Sequence, residues 1–298
     1  MLRPMTIFFA LALAAGPASA ELSVFACEPE WAALAQELGG DKVSVYSATH
    51  ALQDPHHIEA RPSLIARARN ARLAVCTGAE LEVGWLPAIL REAGNARIQP
   101  GAPGYFEAAQ QVTRLEIPTR LDRAEGDVHA SGNPHIQLDP HNLLTVAGPL
   151  ARRMAELDAA NADTYLARNK AFAERMRGAI ARWEKEAASL KGVRVVTKHK
   201  NLTYLLHWLG MVEAATLEPK PGIEPSSAHL AQLLAQIKAQ PPRLILSAAY
   251  DSPRAAEWLA ERAQIPAVIL PFTVGGSERA KDLFGLFDDT LAKLKGTP

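Results

Sequence analysis

LSVFAC (residues 22–27), KVSVYSA (residues 42–48) and ARLAVC (residues 71–76) are three short apolar runs near the start of the chain. Segments typical of helices separate them, at residues 29–38 and 62–70. Strand-like runs that alternate with helices indicate βαβ units and a parallel sheet. This part of the sequence therefore predicts an α/β lobe.

The same alternation returns later in the chain. VRVVT (residues 193–197), RLILSAA (residues 243–249) and AVILPF (residues 267–272) are again separated by helical patterns. Between the two halves lies a helical region from about residue 142, whose stretch 161–190 contains no proline and would span roughly 40 Å as one helix. We therefore predict an N-terminal lobe at 21–150, a linking helix region at 151–191 and a C-terminal lobe at 192–298.

The first twenty residues have the pattern of a secretory signal peptide. Arg3 precedes the apolar run TIFFALALAA, and Ala18-Ser19-Ala20 matches a cleavage site. The alternative, a membrane anchor, is less favoured because the apolar run is shorter than the ~20 residues that span a bilayer. Export to the periplasm is therefore predicted. With 32 basic and 32 acidic residues, the chain offers no electrostatic footprint for nucleic acid.

Cys27 and Cys76 are the two cysteines of the chain, and each ends an apolar run. An even number of cysteines in an oxidising compartment permits one disulfide. If the two runs are neighbouring parallel strands, their ends would lie within bonding reach. A bridge is predicted, with two buried free thiols as the alternative.

Three histidines distant in sequence lie where ligands collect in open α/β sheets, outside the carboxyl ends of strands. They are His56, His135 and His199. Imidazole is a ligand suited to zinc, copper, iron or nickel, so their convergence would form a transition-metal site. The flanking cations of Lys198 and Lys200 are expected to lower the pKa of His199 and so favour its metal-binding neutral form.

Other histidines are expected to have different roles. His129 and His141 lie in a loop and in a helix-capping turn, where exposure is expected, although His129 could give a metal its first contact. His229, early in an amphipathic helix, is expected to be solvated. His207 lies on the apolar face of LTYLLHWLGM and is expected in the core or between the domains.

Several motifs together resemble one family. DPHHIEARPS contains His56, NPHIQLDPHN contains His135, and VVTKHKNLTYLLHWLGM contains His199; AVCTGAELEVGW and EPKPGIEPSSAHL add to the resemblance. They resemble the periplasmic zinc- and manganese-binding proteins of ABC importers, the cluster A-I proteins of the zinc-uptake and treponemal metal-binding types. The resemblance implies two doubly wound α/β lobes joined by a single long rigid helix. It also implies a metal in the interlobe cleft, bound by the three histidines.

The resemblance also bears on the identity of the metal. Three imidazoles are typical of the zinc members, whereas manganese members usually carry a carboxylate at the third position. The segment PFTVGGS (residues 271–277) lacks the aspartate ligand that some members place there. The fourth position is therefore expected to hold water or a weak carboxylate ligand, with Glu278 and Asp282 as candidates. The loop before the second ligand is reduced to GDVHASG, where His129 is the one histidine.

The predicted function is capture of Zn²⁺ in the periplasm and delivery to the membrane permease of an ABC importer, with Mn²⁺ less favoured. A periplasmic zinc metallochaperone is a further candidate partner, and the protein is expected to be a monomer. The alternative is a secreted zinc enzyme, since three histidines with an open position also acidify bound water. The sequence contains no HExxH motif, nucleophile elbow or paired-carboxylate motif, so a non-enzymatic role is predicted.

Overall fold

The computed structural model describes residues 21–119 and 129–296, so the predicted signal peptide lies outside the described residues. Within them the strands form two separate four-stranded sheets, and every pairing is parallel. The strands are β1 (Leu22–Ala26), β2 (Val43–Ser47), β3 (Leu73–Cys76), β4 (Tyr105–Glu107), β5 (Arg194–Thr197), β6 (Val212–Thr216), β7 (Leu244–Ala248) and β8 (Ala267–Leu270).

Helices connect the strands and cover the sheets. The α-helices of the described residues are α1 (Pro29–Gly39), α2 (Pro62–Asn70), α3 (Leu86–Ala93), α4 (Pro140–Leu157), α5 (Ala162–Glu186), α6 (Thr203–Leu209), α7 (Ser227–Ile237), α8 (Arg254–Ala263) and α9 (Leu283–Lys295). None of these helices is both long and apolar enough to cross a membrane.

The two sheets share one topology. Their strand orders are β2-β1-β3-β4 and β6-β5-β7-β8, so the first strand of each lobe lies in the centre beside the third. The central strands β3 and β7 are buried along their whole length, as expected for parallel strands covered by helices on both faces. The prediction of two doubly wound α/β lobes is confirmed.

Helix α5 joins the lobes and packs on both. It has 25 residues, a length of about 37 Å, and contacts α1 of the first lobe and α9 of the second. Its buried side chains Phe172 and Trp183 belong to a hydrophobic core that continues from β1 and β3 to β7 and α9. The Trp183 and Phe287 rings, from α5 and α9, lie 5.0 Å apart between centroids. The lobes therefore share apolar packing as well as a covalent connection.

The long helical region contains one break that the sequence pattern did not reveal. Helix α4 ends at Leu157, and α5 starts at Ala162 after a short turn. The Asp158 carboxylate holds this turn, because it accepts hydrogen bonds from the Asn161 amide at 2.8 Å and from the Tyr165 hydroxyl at 2.6 Å. The predicted linking region at 151–191 therefore covers the end of α4 and all of α5.

The predicted disulfide is present between Cys27 and Cys76. Strands β1 and β3 pair in register, with Val24 opposite Leu73, so the residues after these pairs run side by side. The two cysteine Cα atoms lie 4.8 Å apart, and both residues are fully buried. The bridge ties together the carboxyl ends of the two central strands of the first sheet.

The segment after β8 forms a second junction between the lobes. Thr273 is buried there, and its hydroxyl donates a 2.5 Å hydrogen bond to the Glu30 carboxyl group of α1. Burial raises the pKa of Glu30 to about 7, although the bond from Thr273 opposes the shift. Glu30 is thus a carboxyl group inside the interlobe packing that becomes charged near neutral pH.

Replacing Glu30 should change how stability depends on pH. The folded pKa of about 7 lies above the ordinary glutamate value of 4.5, so the cost of burying the ionised group grows as pH rises from about 4.5 through 7. Gln can still accept the Thr273 hydrogen bond but does not ionise. The unfolding free energy of Glu30→Gln minus that of the wild type should therefore be on the order of 2 kcal/mol larger at pH 8 than at pH 5.

Urea denaturation at both pH values measures this difference. The exposed Glu174 of α5 provides a matched control. The stability of Glu174→Gln relative to the wild type should be nearly the same at pH 5 and pH 8. Stability curves of Glu30→Gln and wild type that run parallel across this pH range would contradict the assignment.

Candidate metal centre

His56 is held in the loop between β2 and α2. Its backbone amide donates to the Asp54 carboxylate at 3.0 Å, and its Nδ1 lies 2.7 Å from the same oxygen. The indole of the buried Trp85 donates to the Pro55 carbonyl at 2.8 Å, which fixes the loop immediately before the histidine. Because an ionised carboxylate can only accept, Nδ1 carries the proton and Nε2 presents its lone pair.

His135 is the most deeply buried of the three, with 1% of its surface exposed. The Asn133 side-chain oxygen accepts from its backbone amide at 3.0 Å and lies 2.9 Å from its Nδ1. Asn133 is itself fixed, because its amide group donates to the Lys200 carbonyl at 2.7 Å. The His135 Nε2 atom is buried and has no hydrogen-bond partner. Burial, together with the charges of the neighbouring histidines, holds the pKa of His135 well below its usual value, so this imidazole is neutral.

His199 follows β5 and lies against Glu218 of the loop after β6. Its Nδ1 is 2.7 Å from the Glu218 carboxylate, which also accepts from the Gly222 amide at 2.9 Å. Burial lowers the pKa of His199, but the hydrogen bond and the charge of Glu218 outweigh it, so the pKa is raised. The predicted lowering by Lys198 and Lys200 is therefore wrong.

The lysines fail to act on His199 because each has its own acid. The Lys198 ammonium lies 2.8 Å from Glu224 and 4.0 Å from Asp251, and the Lys200 ammonium lies 3.2 Å from Glu116. Their charges are compensated locally, and the carboxylate in direct contact with His199 dominates.

The fold brings the three predicted histidines together. Each offers a ring nitrogen within 4.8 Å of those of the other two, a spacing at which they could hold a metal ion. Their ring centroids are 5.3 Å apart for His56 and His135, and 6.0 Å apart for each of the two pairs with His199. Each Nδ1 faces an acceptor of the protein, so the three Nε2 atoms are left for the metal.

Negative charge is supplied one layer outside the imidazoles. Asp54 and Glu218 each contact one of the three histidines, and His56 beside Asp54 keeps the pKa of that carboxyl group low despite partial burial. Two carboxylates balance the charge of a divalent cation without occupying its coordination positions. His135 is the most deeply buried of the three, and its Nδ1 faces the neutral side chain of Asn133 and not a carboxylate.

Aromatic rings and a cavity both border the centre. The Phe272 ring meets His135 edge to face at 5.6 Å, and the Tyr250 ring meets Phe272 at 5.1 Å. A cavity of about 270 Å³ reaches the centre, and it is lined by His56 and His199 from the two lobes and by Tyr250. A cation can therefore enter between the lobes, past His56 and His199.

A fourth histidine, expected to be exposed, lies at the centre. His129 is partly buried, and its Nε2 is 3.2 Å from that of His56. Its ring centroid is 5.3 Å from that of His56 and 6.2 Å from that of His135. The sequence shows a single histidine in GDVHASG, just before the motif that contains His135. No sequence pattern predicts where this loop lies in the fold.

The two predicted carboxylate candidates for the fourth position lie in different settings. Asp282 caps α9, and its carboxylate accepts from the amides of Phe284 at 2.9 Å and Gly285 at 2.7 Å. Glu278 is exposed. Neither belongs to a group of possible metal ligands among the described residues.

The remaining histidine expectations have mixed outcomes. His57 and His141 are exposed, and His141 lies 2.9 Å from Glu184. His207 is also exposed, which contradicts the prediction of a core position, because α6 turns its Leu205 and Leu206 inward instead. His229 is partly buried with an enclosed Nε2, so the prediction of a solvated side chain is wrong.

Comparison with known proteins agrees with this architecture. A relative from Streptococcus cristatus, named metal ABC transporter substrate-binding lipoprotein ScbA, is 22% identical over 267 residues, covering 89% of this chain and 84% of its own. The Streptococcus gordonii manganese ABC transporter substrate-binding lipoprotein scaA is 26% identical over 158 residues, covering 53% and 49%. A crystal structure of ZnuA superposes with a TM-score of 0.77 at 22% identity, covering 93% of this chain and 99% of that one.

The family model described as zinc-uptake complex component A, periplasmic (ZnuA), matches residues 24–297. This match spans both sheets, α5 and all the loops that carry the clustered histidines. The chain therefore belongs to the ZnuA family of metal ABC transporter substrate-binding proteins, which are not enzymes.

Proposed function

We propose that this protein captures zinc in the periplasm and delivers it to the membrane permease of an ABC importer. The observation that carries the proposal is the enclosed, unpartnered Nε2 of His135, which lies among the imidazoles of His56 and His199. A buried acceptor without a partner costs about 1–3 kcal/mol, so a cation that binds it removes that cost. Metal is the cargo here, because family members are substrate-binding proteins.

Zinc is favoured over manganese by the chemistry of the site. Its central donors are imidazole nitrogens, which suit zinc, whereas manganese prefers carboxylate, carbonyl and water oxygens. Asp54 and Glu218 are engaged with imidazole Nδ1 atoms. Because one relative is named for manganese and the family model for zinc uptake, direct competition between the two ions is the decisive comparison.

Location and partners follow from the proposed role. The signal-peptide pattern of residues 1–20 and the lipoprotein or periplasmic names of the relatives support a place outside the cytoplasmic membrane. Substrate-binding proteins of metal importers work with a permease and an ATPase. Loading by a zinc metallochaperone and a monomeric state remain predictions.

Removing any one of the three central imidazoles should strongly weaken zinc binding. Alanine at His56, His135 or His199 is expected to raise the zinc Kd by about a hundredfold or more, roughly 2.8 kcal/mol. His57→Ala and His141→Ala serve as controls, because both side chains are exposed and should change the Kd less than threefold. Competition against a chelator of known affinity gives these values. Equal losses at all five positions would contradict the ligand assignment.

Zinc binding should fail in acid. Each ligand imidazole must be neutral to bind. The pKa of His199 is raised above the ordinary ~6.5 because Glu218 outweighs burial, so His199 is the first of the three to be protonated as pH falls. Zinc titrations between pH 7.5 and pH 5 measure the effect, with circular dichroism as a check that the protein stays folded. An affinity that stays constant over this range would rule out imidazole ligands.

Binding should involve little movement of the lobes. Helix α5 packs on both, and the core is continuous between them, so relative rotation would break apolar contacts. Small-angle scattering of the chelator-treated and zinc-loaded forms should give radii of gyration that differ by less than about 1 Å. A difference of several ångströms would contradict the rigid frame.

A further inference from the structure

A buried lysine lies directly before His199. Lys198 is 5% exposed, and a lysine is almost never buried this deeply unless its charge is paired. Its side chain lines the cavity of about 270 Å³ that reaches the central histidines. A positive charge is thus built into the wall of the cavity through which a cation can enter.

Two carboxylates of the same cavity hold the Lys198 ammonium. Its Nζ donates to Glu224 at 2.8 Å and lies 4.0 Å from Asp251. The Glu224 side chain is exposed, whereas that of Asp251 is only 7% exposed. Asp251 also accepts a 2.7 Å hydrogen bond from the Ala248 amide at the end of β7. Of the two acids, Asp251 is therefore the one that the fold fixes independently of Lys198.

The cavity offers a cation no carboxylate that lacks a partner among the described residues. Of the four carboxylates that line it, two face imidazole Nδ1 atoms and the other two, Glu224 and Asp251, face Lys198. Manganese, magnesium and calcium prefer carboxylate oxygens, whereas imidazole nitrogens suit zinc. A carboxylate released from its partner here would offer oxygen-seeking ions a ligand that the imidazoles do not.

We propose that Lys198 determines metal selectivity, because its ammonium keeps the Asp251 carboxylate from serving as an oxygen ligand to manganese or a similar divalent cation. This inference rests on the proposed zinc-binding function and deepens it. Lys198 acts without contacting the metal, by occupying the acid that such an ion would need. An ion that binds through imidazoles loses little from this arrangement, whereas one that needs oxygen ligands loses most.

The lysine on the other side of His199 separates this effect from simple charge repulsion. A positive charge near the centre disfavours every divalent cation to a similar degree, so its removal changes zinc and manganese binding together. Lys200 carries the same charge, but its ammonium pairs with Glu116, and it is not among the described residues that line the cavity. The informative quantity is therefore the manganese Kd divided by the zinc Kd, with Lys200→Met as the matched control.

Competition titrations with the two ions at pH 8 measure this ratio. Burial raises the pKa of Asp251 to about 6, so its carboxyl group is ionised at pH 8. Lys198→Met and Lys198→Gln both remove the charge, and Gln keeps a polar group beside Asp251 in case the apolar Met destabilises the lobe. Each should lower the ratio about tenfold or more, roughly 1.4 kcal/mol. Lys198→Arg and Lys200→Met should leave the ratio within about threefold of the wild type, because both preserve an ammonium or guanidinium beside Asp251.

A double variant shows whether Asp251 is the carboxylate that is released. Lys198→Met/Asp251→Asn lacks both the cation and the acid, so its ratio should return to within about threefold of the wild-type value. Asp251→Asn alone should leave the ratio unchanged, because Lys198 already occupies this carboxylate in the wild type. A crystal structure of manganese-loaded Lys198→Met should show an Asp251 oxygen at the metal.

Four outcomes would each reject the inference. They are an unchanged ratio in Lys198→Met and Lys198→Gln, an equal shift in Lys200→Met, a shift that persists in the double variant, and a tenfold change in Asp251→Asn alone. Circular dichroism checks that every variant is folded. Failure of the proposed function would appear differently, as a wild type that binds no zinc or that binds manganese more tightly than zinc.

Discussion

The Nε2 atom of His135 is enclosed by protein and accepts no hydrogen bond, and much of the structure serves to keep it so. Asn133 occupies the other ring nitrogen, so the imidazole cannot turn its lone pair away from the cleft. The edge of Phe272 closes one side of the ring against water. A buried acceptor without a partner costs free energy, so it persists only where the surrounding fold fixes it, as Asn133 and Phe272 do here.

The frame around this atom is rigid because the two lobes are not independent bodies. Helix α5 packs on α1 and α9, and the apolar core runs through it from one sheet to the other. Thr273 and Glu30 add a buried polar contact beside the centre. Candidate ligands that come from both lobes, such as His56 and His199, can therefore keep nearly fixed distances without metal. The segments left free to respond are the loops at the carboxyl ends of the strands.

The fold was predictable because its causes are local and repeated. Apolar runs alternating with helices determined the parallel sheets, and the two cysteines at the ends of neighbouring strands determined the bridge. Convergence of His56, His135 and His199 also followed, since the carboxyl ends of parallel strands meet at one edge. The break at Asp158 did not follow, because it depends on a side chain that bonds to Tyr165 one turn further on.

What the sequence did not reveal depends on contacts between distant segments. The pKa of His199 follows Glu218, nineteen residues away, and not its lysine neighbours, whose acids come from other loops. The Ala130 amide, next to His129, donates to Glu80, which lies fifty residues earlier in the chain. A local pattern cannot encode a partner that the fold supplies.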